Sequence, residues 1–318
     1  MEEKIIKEII VDTNNIRLDV FLADSFKEFS RAKIQKHIKE GNVLVNGKVE
    51  KGSYKIFEGD IIKFIDVKED IVIAPNDIDL DILFEDDDLI VINKQKDLLT
   101  HPTSKQNNNT LVNALLFHCG KLSNIDGDIL RQGIVHRLDK NTAGVMVCTK
   151  TNEAHINLAQ QIKNKSAIRK YKAVVFGEFS EDEGVINSPL RRSLKETVKM
   201  SVTTKDDIAG KNAITHFKVL ERFSGATYIE LELKTGRTHQ IRAHMSSISH
   251  PVVGDSLYGA KGFRHKILDK IKTREQVLQS FYLKFAHPIS GDIMEFELPE
   301  DKWDKDIINV LKSLREKQ

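Results

Sequence analysis

Hydrophobic positions along this chain recur at two spacings, and the switches between them outline its elements. Leu18, Phe21 and Leu22 fall on one face of a short helix over RLDVFLADSF. Ser30 reads as the N-cap of a second helix, RAKIQKHIKEG, where Ile34 and Ile38 stand four apart and Gly41 ends the run. VLVNGKV follows as a strand broken by an Asn46-Gly47 turn, and EGDIIKFI supplies another strand. Residues 1–16 therefore read as an N-terminal extension with one edge strand, and 17–66 as a compact unit. The acidic stretch 67–80, with Pro75 and no period, reads as a linker to a larger domain over 81–318.

In that larger domain, DILFEDDDLIVINK predicts two strands around an acidic turn. TLVNALLFHC predicts a helix capped by Thr110, GVMVCTK a buried strand, and TNEAHINLAQQIKNK a longer helix capped by Thr151. YKAVVFGEF, AITHFKVLERF and ATYIELELKTG predict strands. In the last, Ile229, Leu231 and Leu233 alternate with Tyr228, Glu230 and Glu232, the pattern of a sheet with one buried face. KWDKDIINVLKSLREKQ predicts a terminal surface helix. Strands in runs with interspersed helices indicate an α+β fold and not a doubly wound parallel sheet.

Composition narrows the function classes. The chain has 318 residues, 40% of them hydrophobic and 30% charged, a mix that buries a sizeable core. Lys and Arg total 49 against 47 Asp and Glu, so any nucleic-acid partner must be met by local patches and not by a whole-protein field. No apolar run approaches the roughly 20 residues that cross a bilayer. The segment MEEKIIKEIIVD is charged throughout, which argues against a secretory signal. Cys119 and Cys148 form neither a disulfide framework nor a metal cluster, so a cytoplasmic protein without metal or membrane partner is expected.

Four segments carry candidate chemistry. In GIVHRLDKNTAGV, Asp139 sits between Arg137 and Lys140 with apolar residues on both sides; the residue types alone also fit a turn Asp that satisfies backbone N–H groups. In LKTGRTHQIRAHM, a strand ends at Gly236, Arg237 follows the turn, and Thr238 reads as the cap of a helix presenting Gln240, Arg242 and His244. The Arg237 fork suits a carboxylate or phosphate on a neighbouring loop; an ordinary surface Arg is the plainer reading. His239 and His244 stand five apart without a third ligand, which disfavours zinc. KNKSAIRKYK carries Lys163, Lys165, Arg169, Lys170 and Lys172 and then Tyr171 at a strand start. Cations and a ring suit nucleic acid, and a solvated helix end is the plainer reading of the segment taken alone. Arg17, Arg31, Lys33, Lys36, Lys39 and Lys48 lie on or beside the two N-terminal helices, a modest local basic excess.

At these residues the chain resembles the RluA-type pseudouridine synthases with an N-terminal α-L RNA-binding domain, over nearly its whole length. HRLDKNTAG at 136–144, KYKAVVFG at 170–177, LKTGRTHQIRAHM, and HPVVGDSLYG at 250–259 resemble the catalytic domain's motifs. RLDVFLAD, SRAKIQKHIKEGNVLVNGK and GDII resemble the α-L domain. Ala143 and Asn141 depart from the usual Ser and Asp, and Gln279 stands where His is usual, a change expected to bear on substrate contacts. The resemblance implies a mixed, mainly antiparallel sheet and isomerisation of uridine in structured RNA. Ribosomal RNA is the leading substrate and tRNA the other; no cofactor or metal is implied, and a monomer is expected. It implies Asp139 as the acting carboxylate, with Tyr171 stacking the base and Arg137 facing RNA. A tight pocket would neutralise a lone carboxylate, so Arg237 is expected to keep Asp139 ionised. Lys163, Lys165, Arg169 and Arg242 are expected to contact RNA, and the resemblance gives the same role to Arg17, Arg31, Lys33, Lys36, Lys39 and Lys48. The competing readings are a non-catalytic RNA-binding or ribosome-assembly factor on the same fold, and a glycoside hydrolase. The latter needs a second carboxyl about 5–5.5 Å from the first, and neither motif offers one.

Overall fold

The computed structural model describes residues 4–26, 31–67, 73–103, 106–125, 128–259, 273 and 275–316. The chain divides into two compact units, Met1–Val72 and Ile73–Gln318. Ser30 lies outside the described residues, as does the Lys33 side chain.

In the first unit, β1 (Lys4–Ile10), β2 (Ile16–Arg17), α1 (Leu18–Ser25), α2 (Arg31–Lys39), β3 (Val43–Val45), β4 (Lys48–Val49), β5 (Lys55–Ile56) and β6 (Ile61–Val67) follow in order. Leu18, Leu22, Ile34 and Ile38 pack on Val43, Val45, Ile62 and Phe64 in one core. The sheet order β1-β6-β3-β4 makes residues 4–10 the edge strand of this unit and not a separate extension. Their register sets Ile9 against Ile62, and Val11 closes the same core. Asn46 and Gly47 both take positive φ, the requirement of the tight turn between β3 and β4. The side chain of Asp19 is wholly buried and accepts from Arg17 Nε at 3.0 Å, Arg31 Nη2 at 3.0 Å and Gln35 Nε2 at 2.8 Å. Those bonds hold its carboxyl well below the usual carboxylate range, the Arg17 contact being the largest cause.

The second unit begins earlier than the linker reading allowed. Ile73 belongs to its core, and Asn113 Nδ2 donates to Ala74 O at 2.7 Å, so residues 73–80 form a packed strap. A hairpin, β7 (Asp81–Glu85) and β8 (Leu89–Lys94), turns through the acidic residues as expected. Helix α3 (Leu111–Cys119) starts at Thr110, whose N–H and hydroxyl both donate to Asn113 Oδ1. The fully buried β9 (Ala143–Thr149) leads into α4 (Asn152–Lys163), capped by Thr151, whose Oγ1 accepts from the Ala154 N–H. Then come β10 (Ile168–Phe176), β11 (Glu183–Asn187), a small ribbon of β12 (Leu190–Arg192) and β13 (Met200–Val202), and the long strands β14 (Ile214–Phe223) and β15 (Ala226–Leu233). Helix α5 (Gln240–Ser247), β16 (Leu278–Ala286), β17 (Ile293–Glu297) and α6 (Lys305–Arg315) complete the unit.

The main sheet runs β11-β14-β15-β10-β16-β9-β8-β7, with β17 also paired to β16. All pairings are antiparallel except the short parallel step between β9 and β16. That step needs Gly144: at φ +126° a Cβ there would stand 1.9 Å from the Ser280 carbonyl oxygen. The reading of β15 as buried on one face is corrected. Tyr228 is also buried, because Val310, Leu311 and Leu314 of α6 cover that part of the other face. The result is an α+β fold whose central strands carry the site.

Candidate active site

Asp139 occupies an irregular loop immediately before β9. The loop is pinned from below. Thr100 Oγ1 donates to Leu138 O at 2.7 Å, and the Thr142 N–H closes a turn on Asp139 O at 3.1 Å. Lys94, fully buried at the end of β8, donates to Gln95 O, Leu98 O and Lys140 O. Burial pushes the Lys94 pKa down to about 7, with the charges of Asp139 and Asp97 opposing the shift. Sequence reasoning passed over Lys94 because a Lys ending a strand reads as solvated.

The loop faces a cleft of about 630 Å³ that is also lined by Tyr171, Arg137, Arg237 and Arg242. The cation facing Asp139 is Arg242, with Nη1 at 3.0 Å from Oδ2. This corrects two expectations. Arg237 is exposed, its Nε donates to Asn212 O at 3.1 Å, and no ion pair joins it to Asp139. Arg242 is 7% exposed and is no surface contact for RNA. Its Nε and Nη2 also donate to Asp255 at 2.7 and 2.9 Å. Burial acts to lower the Arg242 pKa, but the bonds and charges of Asp255 and Asp139 leave it raised.

Asp255 comes from the HPVVGDSLYG segment. Its side chain is fully buried and also accepts the Leu257 and Tyr258 N–H groups at 2.9 Å each. A carboxylate so occupied cannot serve as a second acid, which removes the remaining ground for the hydrolase reading. Its task is to hold the Arg242 fork in plane toward Asp139.

The GRTHQIR motif builds this arrangement through Gln240. Its Oε1 accepts the Arg237 N–H and the Thr235 hydroxyl, while Nε2 donates to Ile214 O and Thr215 Oγ1. The turn is thus locked to β14 before the helix begins. The helix cap is His239, at φ +53°, and not Thr238. That left-handed residue brings its Nε2 to 3.8 Å from Asp139 Oδ2, while Nδ1 shares a contact with Tyr258 Oη at 3.1 Å. Burial lowers the His239 pKa, and Asp139 opposes the shift.

Tyr171 lies on β10, 5% exposed, with its side chain on the cleft wall. Burial pushes its phenol up, opposed by the Arg169 charge and reinforced by Asp139. Arg137 is exposed at the mouth, as are Lys163 and Lys165. Arg131, unremarked in the sequence, joins them there. Arg169 does not: it is 4% exposed, because strand alternation turns it to the same face as Tyr171. Gln279 is buried and accepts the Asp304 N–H at 2.8 Å, so it ties β16 to the start of α6 and does not line the cleft. In the first unit Lys36, Lys39 and Lys48 are exposed, whereas the guanidiniums of Arg17 and Arg31 are engaged by Asp19.

The site thus sets a carboxylate paired with a guanidinium beside a buried Tyr on a mainly antiparallel sheet, and the comparisons with known proteins give its class, an RNA-modifying isomerase with an N-terminal S4 domain. Residues 88–247 match the family described as RNA pseudouridylate synthase, and residues 16–62 match the S4 domain. The chain belongs to the RNA pseudouridylate synthase family and is an RNA pseudouridine synthase. It is 43% identical to the RNA pseudouridine synthase YlyB of Bacillus subtilis (strain 168), over 90% of this chain and 91% of that protein. It is 38% identical to ribosomal large subunit pseudouridine synthase D of Escherichia coli (strain K12), over 93% and 91%. The fold is shared with human RNA pseudouridylate synthase domain containing 4, at a TM-score of 0.57 and 22% identity, over 74% of this chain and 92% of that one.

Proposed function

We propose that this enzyme converts uridine to pseudouridine in large-subunit ribosomal RNA, with Asp139 as the group that acts on the flipped nucleotide. The observation that carries this reading is the Asp139–Arg242 pair, 3.0 Å apart, at the wall of a cleft. A base held in helical RNA must leave its stack to enter such a cleft, at a cost of a few kcal/mol. Arg137, Arg131, Lys163 and Lys165 at the mouth suit the flanking phosphates. Tyr171 suits stacking on the uracil. The substrate class follows the ribosomal large-subunit relatives. Nothing in the chain favours the non-catalytic alternative.

Chemical mapping of pseudouridine in ribosomal RNA from cells carrying Asp139→Asn tests the reading. Loss of at least one modified uridine, with RNA binding retained by the variant, is expected. Undiminished modification would refute the role of Asp139.

A further inference from the structure

Among the described residues, no carboxylate answers Arg169, a buried cation of the cleft. Its Nε is buried without a hydrogen-bond partner, and no ion pair to Arg169 occurs among the described residues. It lies two residues before Tyr171 on the same face of β10, and its side chain reaches the cleft. Above it, Gly236 leaves the room: a Cβ there would stand 2.8 Å from Arg169 Nη1. A guanidinium cannot shed its proton to escape burial, and an unpaired buried charge is strongly unfavourable. Such a group is kept for an anion that arrives later.

A second donor waits beside it. His136 Nε2 accepts the Val147 N–H at 3.2 Å, which places the proton of the neutral ring on Nδ1. Nδ1 is buried and has no partner. Burial, together with the Arg169 charge, pushes the His136 pKa down to about 3, so the ring is neutral at pH 7.

Resting on the reading of this cleft as the active site, we propose that Arg169 binds the detached uracil: its guanidinium hydrogen-bonds a base carbonyl oxygen and takes up the negative charge of the freed base, with His136 Nδ1 as the second donor. Breaking the N1–C1′ bond leaves its electron pair on the base, spread over N1, O2 and O4. The same anion rebonds to C1′ through C5. C5 then loses its proton and N1 gains one, so no atom or electron is exchanged overall. Asp139 is itself negative and cannot stabilise this charge. Arg242 is already held by Asp139 and Asp255. The cations at the mouth are exposed and suit phosphate. The buried one suits a charge that appears only during reaction, where a preorganised donor acts most strongly.

The test uses the full-length enzyme and an unmodified large-subunit ribosomal RNA transcript, with Asp139→Asn as control. For Arg169→Met, a fall of about 100-fold or more in single-turnover rate at saturating enzyme is expected, with RNA affinity unchanged and a melting temperature equal to or above that of the wild type. Arg169→Lys recovers part of the rate. With 5-fluorouridine at the target, whose base carries negative charge more readily, the Arg169→Met loss in bond breakage shrinks. An undiminished rate overturns the proposal. So does a loss confined to affinity, which would make phosphate the anion, or a lowered melting temperature in both variants, which would make Arg169 structural. A rate loss unaltered by the fluorinated base would mean that Arg169 only shapes the pocket. A wild-type enzyme inert on this transcript, or an active Asp139→Asn, would instead refute the substrate or the site.

Discussion

At the residue scale, the partner of Asp139 is decided by a backbone detail. His239 adopts φ +53°, the chain reverses there, and Arg242 in the first turn of α5 meets the carboxylate while Arg237 remains in the turn behind it. A left-handed His has no sequence signal, so GRTHQIR announces two candidate arginines and does not choose. The two variants should therefore separate. Arg242→Met leaves Asp139 and buried Asp255 facing each other without a cation. We expect it to abolish activity and to cost about 3–5 kcal/mol of stability, read by urea unfolding. Arg237→Met should weaken RNA binding and leave the saturated single-turnover rate intact; a collapse of that rate would restore Arg237 to the centre. The buried histidines set a pH dependence. His136 and His101 have folded pKa values of about 3 and about 4, below the ordinary 6.5, with burial as the main cause. Between these limits the unfolded chain binds protons that the folded protein does not, so stability falls as pH drops through that window. Fluorescence of Trp303, the sole tryptophan and a residue of the larger unit, should report a shallower pH slope for His136→Gln than for the wild type.

At the element scale, alternation and caps marked most of the sheet and helices. The Ile229, Leu231 and Leu233 rhythm of β15, and the Thr110 and Thr151 helix starts, are local features with local causes. What could not be read locally is adjacency. Strand β9 meets β16 across more than a hundred residues, through a parallel contact of two residue pairs that only a glycine permits. Gly144→Ala would force a methyl group against the Ser280 carbonyl at a φ disfavoured for alanine. We expect a loss of about 4 kcal/mol or more, seen as a lowered melting temperature or insoluble protein. A variant as stable as the wild type would show that the two strands can part without cost. The burial of Tyr228 has the same origin, because the helix that covers it lies at the far end of the chain.

At the scale of the whole molecule, each unit has its own hydrophobic core, and among the described residues the main sheet takes no strand from the first unit. Deleting Met1–Val72 should therefore leave the larger unit folded. Tethered modules on one RNA raise affinity by roughly 10²–10⁴, so the truncated enzyme should bind long RNA more weakly by a factor in that range while its saturated single-turnover rate persists. Unchanged affinity would show that the S4 unit does not engage that RNA. Residue types and their spacing were enough to mark most strands and helices and two core-forming segments, because periodicity, caps and turn chemistry act within a few residues of sequence; the HRLD and GRTHQIR segments stood out only through their resemblance to a family. The pairing of Asp139 with Arg242, the bracing of that arginine by Asp255, and the inward turn of Arg169 arose only on folding. Each depends on which distant segments come to share one low-dielectric cleft, and electrostatic partnership there is a matter of ångströms that no one-dimensional pattern encodes.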